Sequence, residues 1–169
     1  MKRVLLFCLV LAFSGAHAQV DSLDQKLEGL EGQELIDKLN LLSFTIAQSD
    51  PNRAKEMANE AAEKSLELEY YYGAADAMHK LSVVHRFQGY YNEALLYADS
   101  AFSYIESMEA KSLRAAIHSN RGVCYRYKGE YEEALKSFQK AIALHKEANQ
   151  NTDVATVLNN VGVMFMYME

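Results

Sequence analysis

Small residues return along this chain at a fixed period of 40. Gly129, Tyr131, Ala134 and Ala141 stand one period after Gly89, Tyr91, Ala94 and Ala101, and Ala54 and Ala61 hold the same slots one period earlier. Asn160 and Gly162 follow Asn120 and Gly122 at that interval, and Ala75, Ala115 and Ala155 share the register. Self-similarity at such a period marks a stack of supersecondary units, none of which buries its apolar face alone.

The units are helical. Pro51 is the only proline, and β-branched runs are absent. Leu35, Leu39, Leu42 and Ile46 step by four, three and four, the stripe of an amphipathic helix. Asp50-Pro51 then supplies an N-cap and a proline suited to a first helical turn. A second helix runs through Ala54, Met57, Ala58, Ala61, Ala62, Leu66 and Leu68. Tyr70 to Gly73 reads as the connection to a third helix, which carries Ala75, Met78, Leu81, Val84 and His85. Gln88-Gly89 ends that helix, because glycine accepts the left-handed conformation at a C-terminus. Further helices are expected from Tyr91 to Ile105, Ser112 to Tyr127, Tyr131 to Lys146, and onward from Thr152. The recurring alanines let paired helices approach closely, and the tyrosine heading each second helix fills space beside the turn.

The segment 1–18 stands apart. Lys2 and Arg3, the apolar run from Val4 to Phe13, and Ala16-His17-Ala18 form the layout of a secretory signal peptide cleaved after Ala18, which implies export to a periplasm or the medium. The run is about ten residues, half of the roughly 20 that a membrane span needs. Cys8 lies inside it, not after it, which argues against lipidation. Removing Lys2 and Arg3, with no acid lost, takes the formal charge from −6 to −8. An acidic chain without a basic block lacks the footprint of a nucleic-acid binder and is repelled by anionic lipid. Residues 19–34, with Leu23, Leu27 and Leu30, read as an N-terminal capping segment. Cys124 is then the only cysteine, so it has no internal disulfide partner. It shares a slot with Val84 and Met164 and reads as a core residue.

Catalytic signatures are missing from the sequence: no HExxH, GxSxG, P-loop, GxGxxG or CxxC motif occurs. His79 and His85 are six apart, off the i, i+4 spacing by which a helix presents two metal ligands. His85 occupies the slot of Tyr125 and Phe165 and reads as packing. Glu130, Glu132 and Glu133 begin a helix, where negative charge complements the dipole. No catalytic residue, metal site or cofactor is expected.

The unit from Ala115 resembles a tetratricopeptide repeat: Gly122, Tyr125, Gly129, Tyr131, Ala134, Phe138 and Ala141 match that family's helix-turn-helix signature. The preceding copy keeps Gly89, Tyr91, Ala94 and Ala101 but has Ser82, His85 and Ala98 at three signature slots. The resemblance implies an all-α, right-handed α-solenoid over residues 35–169, with repeats at 35–74, 75–114, 115–154 and a partial one at 155–169. The period is 40 where the family's is 34, as in a long-period bacterial subclass, and the extra length is expected to extend the second helix and the connection after it. The resemblance further implies a scaffold whose first helices line a concave groove for a peptide or protein partner. Expected groove residues are His79, Val83, Arg86, Ser119, Asn120, Val123, Arg126, Tyr127, Asn159, Asn160 and Val163. Asn40, Asn120 and Asn160 would form a ladder able to pair with a peptide backbone, and Arg86 and Arg126 would clamp carboxylates. An alternative is the periplasmic sensor region of a bacterial signal-transduction protein, such as a histidine kinase or transcriptional regulator. The apolar stretch from Met164 to Met168 favours a fragment of a longer protein, with membrane and output modules downstream.

Overall fold

The computed structural model describes residue 23 and residues 25–168. The signal-peptide expectation lies outside them. Seven helices follow one another among the described residues: α1 (Gly32–Ile46), α2 (Pro51–Glu67), α3 (Tyr71–Phe87), α4 (Tyr91–Tyr104), α5 (Lys111–Lys128), α6 (Tyr131–Glu147) and α7 (Asn151–Met166). Each packs on its neighbour in sequence. The odd-numbered helices α1, α3, α5 and α7 also touch one another in succession and so form the inner layer of the stack.

The period divides into two equal halves. From α2 onward every helix starts half a period after the last, at Pro51, Tyr71, Tyr91, Lys111, Tyr131 and Asn151. The cause is a shared C-terminal stop. The amide of Tyr70 donates to the carbonyl of Ser65 (2.8 Å), and the same bond, five residues back, joins Tyr90 to His85, Glu130 to Tyr125 and Gln150 to His145 (each 2.9 Å). This closure needs a left-handed residue just before the donor. Gly89 (φ 81°) and Gly129 (φ 77°) supply it after α3 and α5, while Glu69 (φ 53°) and Asn149 (φ 57°) do so after α2 and α6. Only the glycines announce themselves in the sequence. After α4 the device is replaced: the guanidinium of Arg114 donates to the carbonyls of Ile105 and Glu106, holding the longer connection at 105–110.

Two boundary expectations need correction. Tyr71, Tyr72 and Gly73 are the first turn of α3, not a connection, and only residues 68–70 link α2 to α3. The extra length of the period is also shared by both helices of a unit, since α2, α3 and α6 have 17 residues each and α5 has 18. The connections stay short everywhere except at 105–110.

The first unit is also out of register by one residue. Ser43 Oγ donates to the carbonyl of Ala54 (2.8 Å), and Ser82 Oγ to that of Ala94 (2.6 Å). The acceptors lie a full period apart, but the donors lie one residue closer together. Four residues, 47–50, separate α1 from α2, where three separate α3 from α4. Burial on α1 confirms the slip: Ile36, Leu39, Leu42 and Ile46 face the core, with Asn40 in the position that His79 holds on α3. Asp50 caps α2 through a 3.1 Å bond from the Arg53 amide to its carboxylate, and Pro51 takes the first helical position.

Packing follows the small-residue slots. Ala54, Ala94, Ala134, Ala61, Ala101 and Ala141 are all fully buried. Gly122 exists to admit Phe138: a Cβ at Gly122 would lie 2.5 Å from the Phe138 ring. Leu23 is buried against the first core cluster, and Leu27 packs on the same cluster. Cys124 is fully buried, and burial pushes its thiol up to about 11. The native thiol should therefore be inert at pH 8 toward a disulfide reagent and react only as the chain unfolds. Rapid labelling of the folded protein would contradict this placement.

Candidate functional site

The inner helices α1, α3, α5 and α7 line a concave recess of about 520 Å³. Of the expected residues it contains His79, Val83, Arg86, Ser119, Asn120, Val123, Arg126, Tyr127 and Asn160. Asn159 and Val163 do not line it; Asn159 faces solvent. Helical periodicity explains the split, because Asn160 follows the inward positions Asp153, Thr156 and Val157 on α7.

The asparagine ladder is not present. Asn40 is fully buried, and its Nδ2 donates to the Gly73 carbonyl at 3.1 Å, tying α1 to α3. The one-residue slip removes it from the slot of Asn120. Asn120 is also engaged: its Nδ2 donates to Ser82 Oγ at 2.7 Å, and its Oδ1 accepts from Arg86 Nε at 2.5 Å. Both amides thus cross-link neighbouring helices, and neither is free to read a peptide backbone. Asn160 alone keeps a partly open position.

The arginines hold the charge of the recess. Lys80, the third cation there, is neutralised by Asp76 at 2.6 Å and lies over the Phe44 ring. Asp153 of α7 lines the same recess, yet among the described residues Arg86 and Arg126 form no ion pair with a carboxylate. Arg86 sits 4.1 Å from the Phe87 ring centroid and Arg126 4.7 Å from that of Tyr127. Tyr127 in turn stacks on Tyr91, with centroids 5.3 Å apart. Burial lowers the pKa of Arg86 from its ordinary value, with the like charge of Arg126 adding to the effect. Arg126 Nε is buried and finds no hydrogen-bond acceptor. Two flat guanidiniums thus lie against aromatic faces in one recess, with no carboxylate paired to either among the described residues.

His79 lies beneath the recess, almost fully buried, with Nδ1 3.8 Å from Asp76 Oδ1. That distance is too long for a hydrogen bond and leaves Nδ1 without one. Burial holds its pKa below the usual histidine value. Among the described residues no group of histidine, cysteine, aspartate or glutamate is placed to hold a metal.

Phe44 and His145 join the recess without having been expected. Phe44 matches the slot of Val83 only once the one-residue slip of the first unit is allowed for, so a strict period skips it. His145 comes from α6, an outer-layer helix, and borders the recess while its Nδ1 lies 2.9 Å from Gln150 Oε1.

Helix pairs repeated in register around a concave, charged recess define an α-solenoid interaction scaffold. Residues 115–147 and, independently, residues 74–107 match tetratricopeptide repeat families. The chain is a tetratricopeptide repeat protein, a class that generally serves protein–protein interaction without catalysis. No curated protein and no solved structure matches it.

Proposed function

We propose that this chain is an exported, non-catalytic scaffold whose concave groove holds an acidic peptide or protein segment. The observation that carries the reading is the pair Arg86 and Arg126: two cations in one recess, without acid partners among the described residues, on a chain whose net charge is −6. Tyr127 and Phe44, both about half exposed, offer apolar contact beside them. The leader at 1–18 supports export.

A fluorescently labelled Glu/Asp-rich peptide provides the probe, titrated at two salt concentrations. Replacing both arginines by glutamine keeps polar packing while removing the charge, and it should weaken binding by at least about tenfold for each bond to charge lost. Higher salt should weaken the wild type more than the variant. Equal affinity of both proteins, with helical content unchanged, would remove the groove assignment. Export is read from the N-terminus of the native protein, expected at Gln19.

A further inference from the structure

Three slots on α5 break the pattern of the repeat. Arg114, His118 and Arg121 step by four and three along one face of the helix. One period earlier the same slots hold Ala74, Met78 and Leu81, and one period later Val154, Leu158 and Val161, all of them apolar. On α3, Ala74 and Leu81 are buried and Met78 packs against the core. On α5 the three basic residues instead line a cavity of about 450 Å³, bordered also by Phe102 of α4, Glu106 of the connection after it and Lys140 of α6. That connection, 105–110, is the longest between the helices of the stack. The cavity shares no lining residue with the concave recess.

Two of its cations are held in place by the fold. Arg114 grips the carbonyls of Ile105 and Glu106, both through Nη2, which leaves Nε and Nη1 for another partner. Arg121 is held by the Asp99 carboxylate and by the Tyr125 hydroxyl at 3.2 Å. Among the described residues neither Arg114 nor Lys140 forms an ion pair, and Glu106 is the one acid lining the cavity. His118 sits among them with its ring 4.7 Å from that of Phe102. Burial above all, with the charges of Lys140, Arg121 and Arg114, lowers its pKa to about 4, so at neutral pH it is an uncharged ring with one N–H to donate. Gathering unpaired positive charge in place of a repeated apolar seam costs stability, and the chain as a whole is acidic, at −6. A bound anion supplies the missing counter-charge.

We propose that this cavity is a binding site for a phosphate group, carried by free phosphate or by a small phosphorylated molecule. Such a group bears about −1.5 to −2 charges at pH 7 and three strong acceptor oxygens. It can therefore meet the open edge of the Arg114 guanidinium and the Lys140 ammonium together, with the His118 N–H as a third donor. A single carboxylate balances only one of the two cations. The space lies within the range of small-molecule sites, roughly 300–1,000 Å³, and Phe102 gives it an apolar wall.

The test titrates the full chain with inorganic phosphate at pH 7, at ionic strength held constant with sodium chloride, and reads the ring resonances of His118. They should shift saturably with phosphate. Lys140→Gln should weaken binding about tenfold, the scale of one bond to a charged group, and Glu106→Gln should tighten it about threefold. Both side chains are exposed, so both variants fold. The double variant Arg86→Gln with Arg126→Gln should bind phosphate as the wild type does, which separates this site from the groove. Phenyl phosphate identifies the source: tighter binding than that of phosphate marks a phosphorylated small molecule, and failure to bind where phosphate does marks the free ion. No saturable shift, an equal shift with chloride alone, or indifference to both Lys140→Gln and Glu106→Gln overturns the proposal.

Discussion

Phe138→Ala should cost this chain about 3–5 kcal/mol, the loss expected when a buried aromatic leaves a cavity. Phe138 is the largest of the fully buried side chains among the described residues. Gly122→Ala attacks the same contact from the other side. Its new methyl would stand 2.5 Å from two ring carbons, and overpacking of this kind costs about 1–3 kcal/mol. The ring cannot swing aside cheaply, because Ala134, Ala141 and Val157 pack in the same cluster. Gly162→Ala is the internal control. It occupies the equivalent slot with open space around it, and the gain in helix propensity should stabilise α7 by up to about 1 kcal/mol. Urea unfolding of the three variants measures all of this. A second check comes from combining Gly122→Ala with Phe138→Leu: the smaller side chain relieves the clash, so the double variant should be more stable than the sum of the two losses predicts. Strict additivity would mean that the two residues do not compete for one volume.

The same pair shows what was legible in the sequence. Gly122 and Phe138 lie on successive helices, and the period identified both as slots of a repeated helix pair. Helix number, order and the buried alanines followed from that period. The half-period did not, because the stop that produces it is made of backbone bonds. Glycine betrays that stop at Gly89 and Gly129, but Glu69 and Asn149 adopt the same left-handed conformation with ordinary side chains. The helix boundary at Tyr71 was obscured for a related reason: three tyrosines and a glycine resemble a turn, and only the bond from Tyr70 to Ser65 places the break earlier.

Site residues were legible wherever the register held. Arg86, Arg126, Asn120 and Tyr127 lie in α3 and α5, which keep the full period throughout, and all four reach the recess. Asn40 failed because one extra residue between α1 and α2 rotates its side chain away from the slot it shares by number. The same slip concealed Phe44. What an amide bonds to is a different kind of question: Asn120 was placed correctly, yet Ser82 takes one of its donors and Arg86 its acceptor, a fact fixed by distances that no spacing encodes.

Acidification should destabilise the fold well before its carboxylates titrate, and His118 is the residue through which to measure this. Its ring lies 4.7 Å from that of Phe102 on α4. Burial is the main reason its pKa falls to about 4, with Lys140 on α6 and Arg121 and Arg114 on α5 adding positive charge around it. Glu106, in the connection after α4, is the acid that shares its cavity. In the unfolded chain the same imidazole titrates near 6.5. Between those values the unfolded state binds the proton and the folded state does not, so stability falls as the pH falls. The contribution is fully present above pH 6.5, erodes below it, and is gone by about pH 4. After allowance for partial exposure it amounts to about 1–2 kcal/mol. His79 acts in the same direction, since burial also lowers its pKa, although the Asp76 carboxylate partly offsets this and Lys80 and Arg86 add to it. The pKa of Asp76 itself is lowered: burial works to raise it, but His79 and Lys80 together prevail, so its stabilising effect is lost only below its ordinary value of 3.8. The urea midpoint of the wild type should therefore drop between pH 7 and pH 4.5, and His118→Gln should flatten part of that drop while leaving the remainder to His79. An unchanged slope in the variant would show that His118 protonates as readily in the fold as in water.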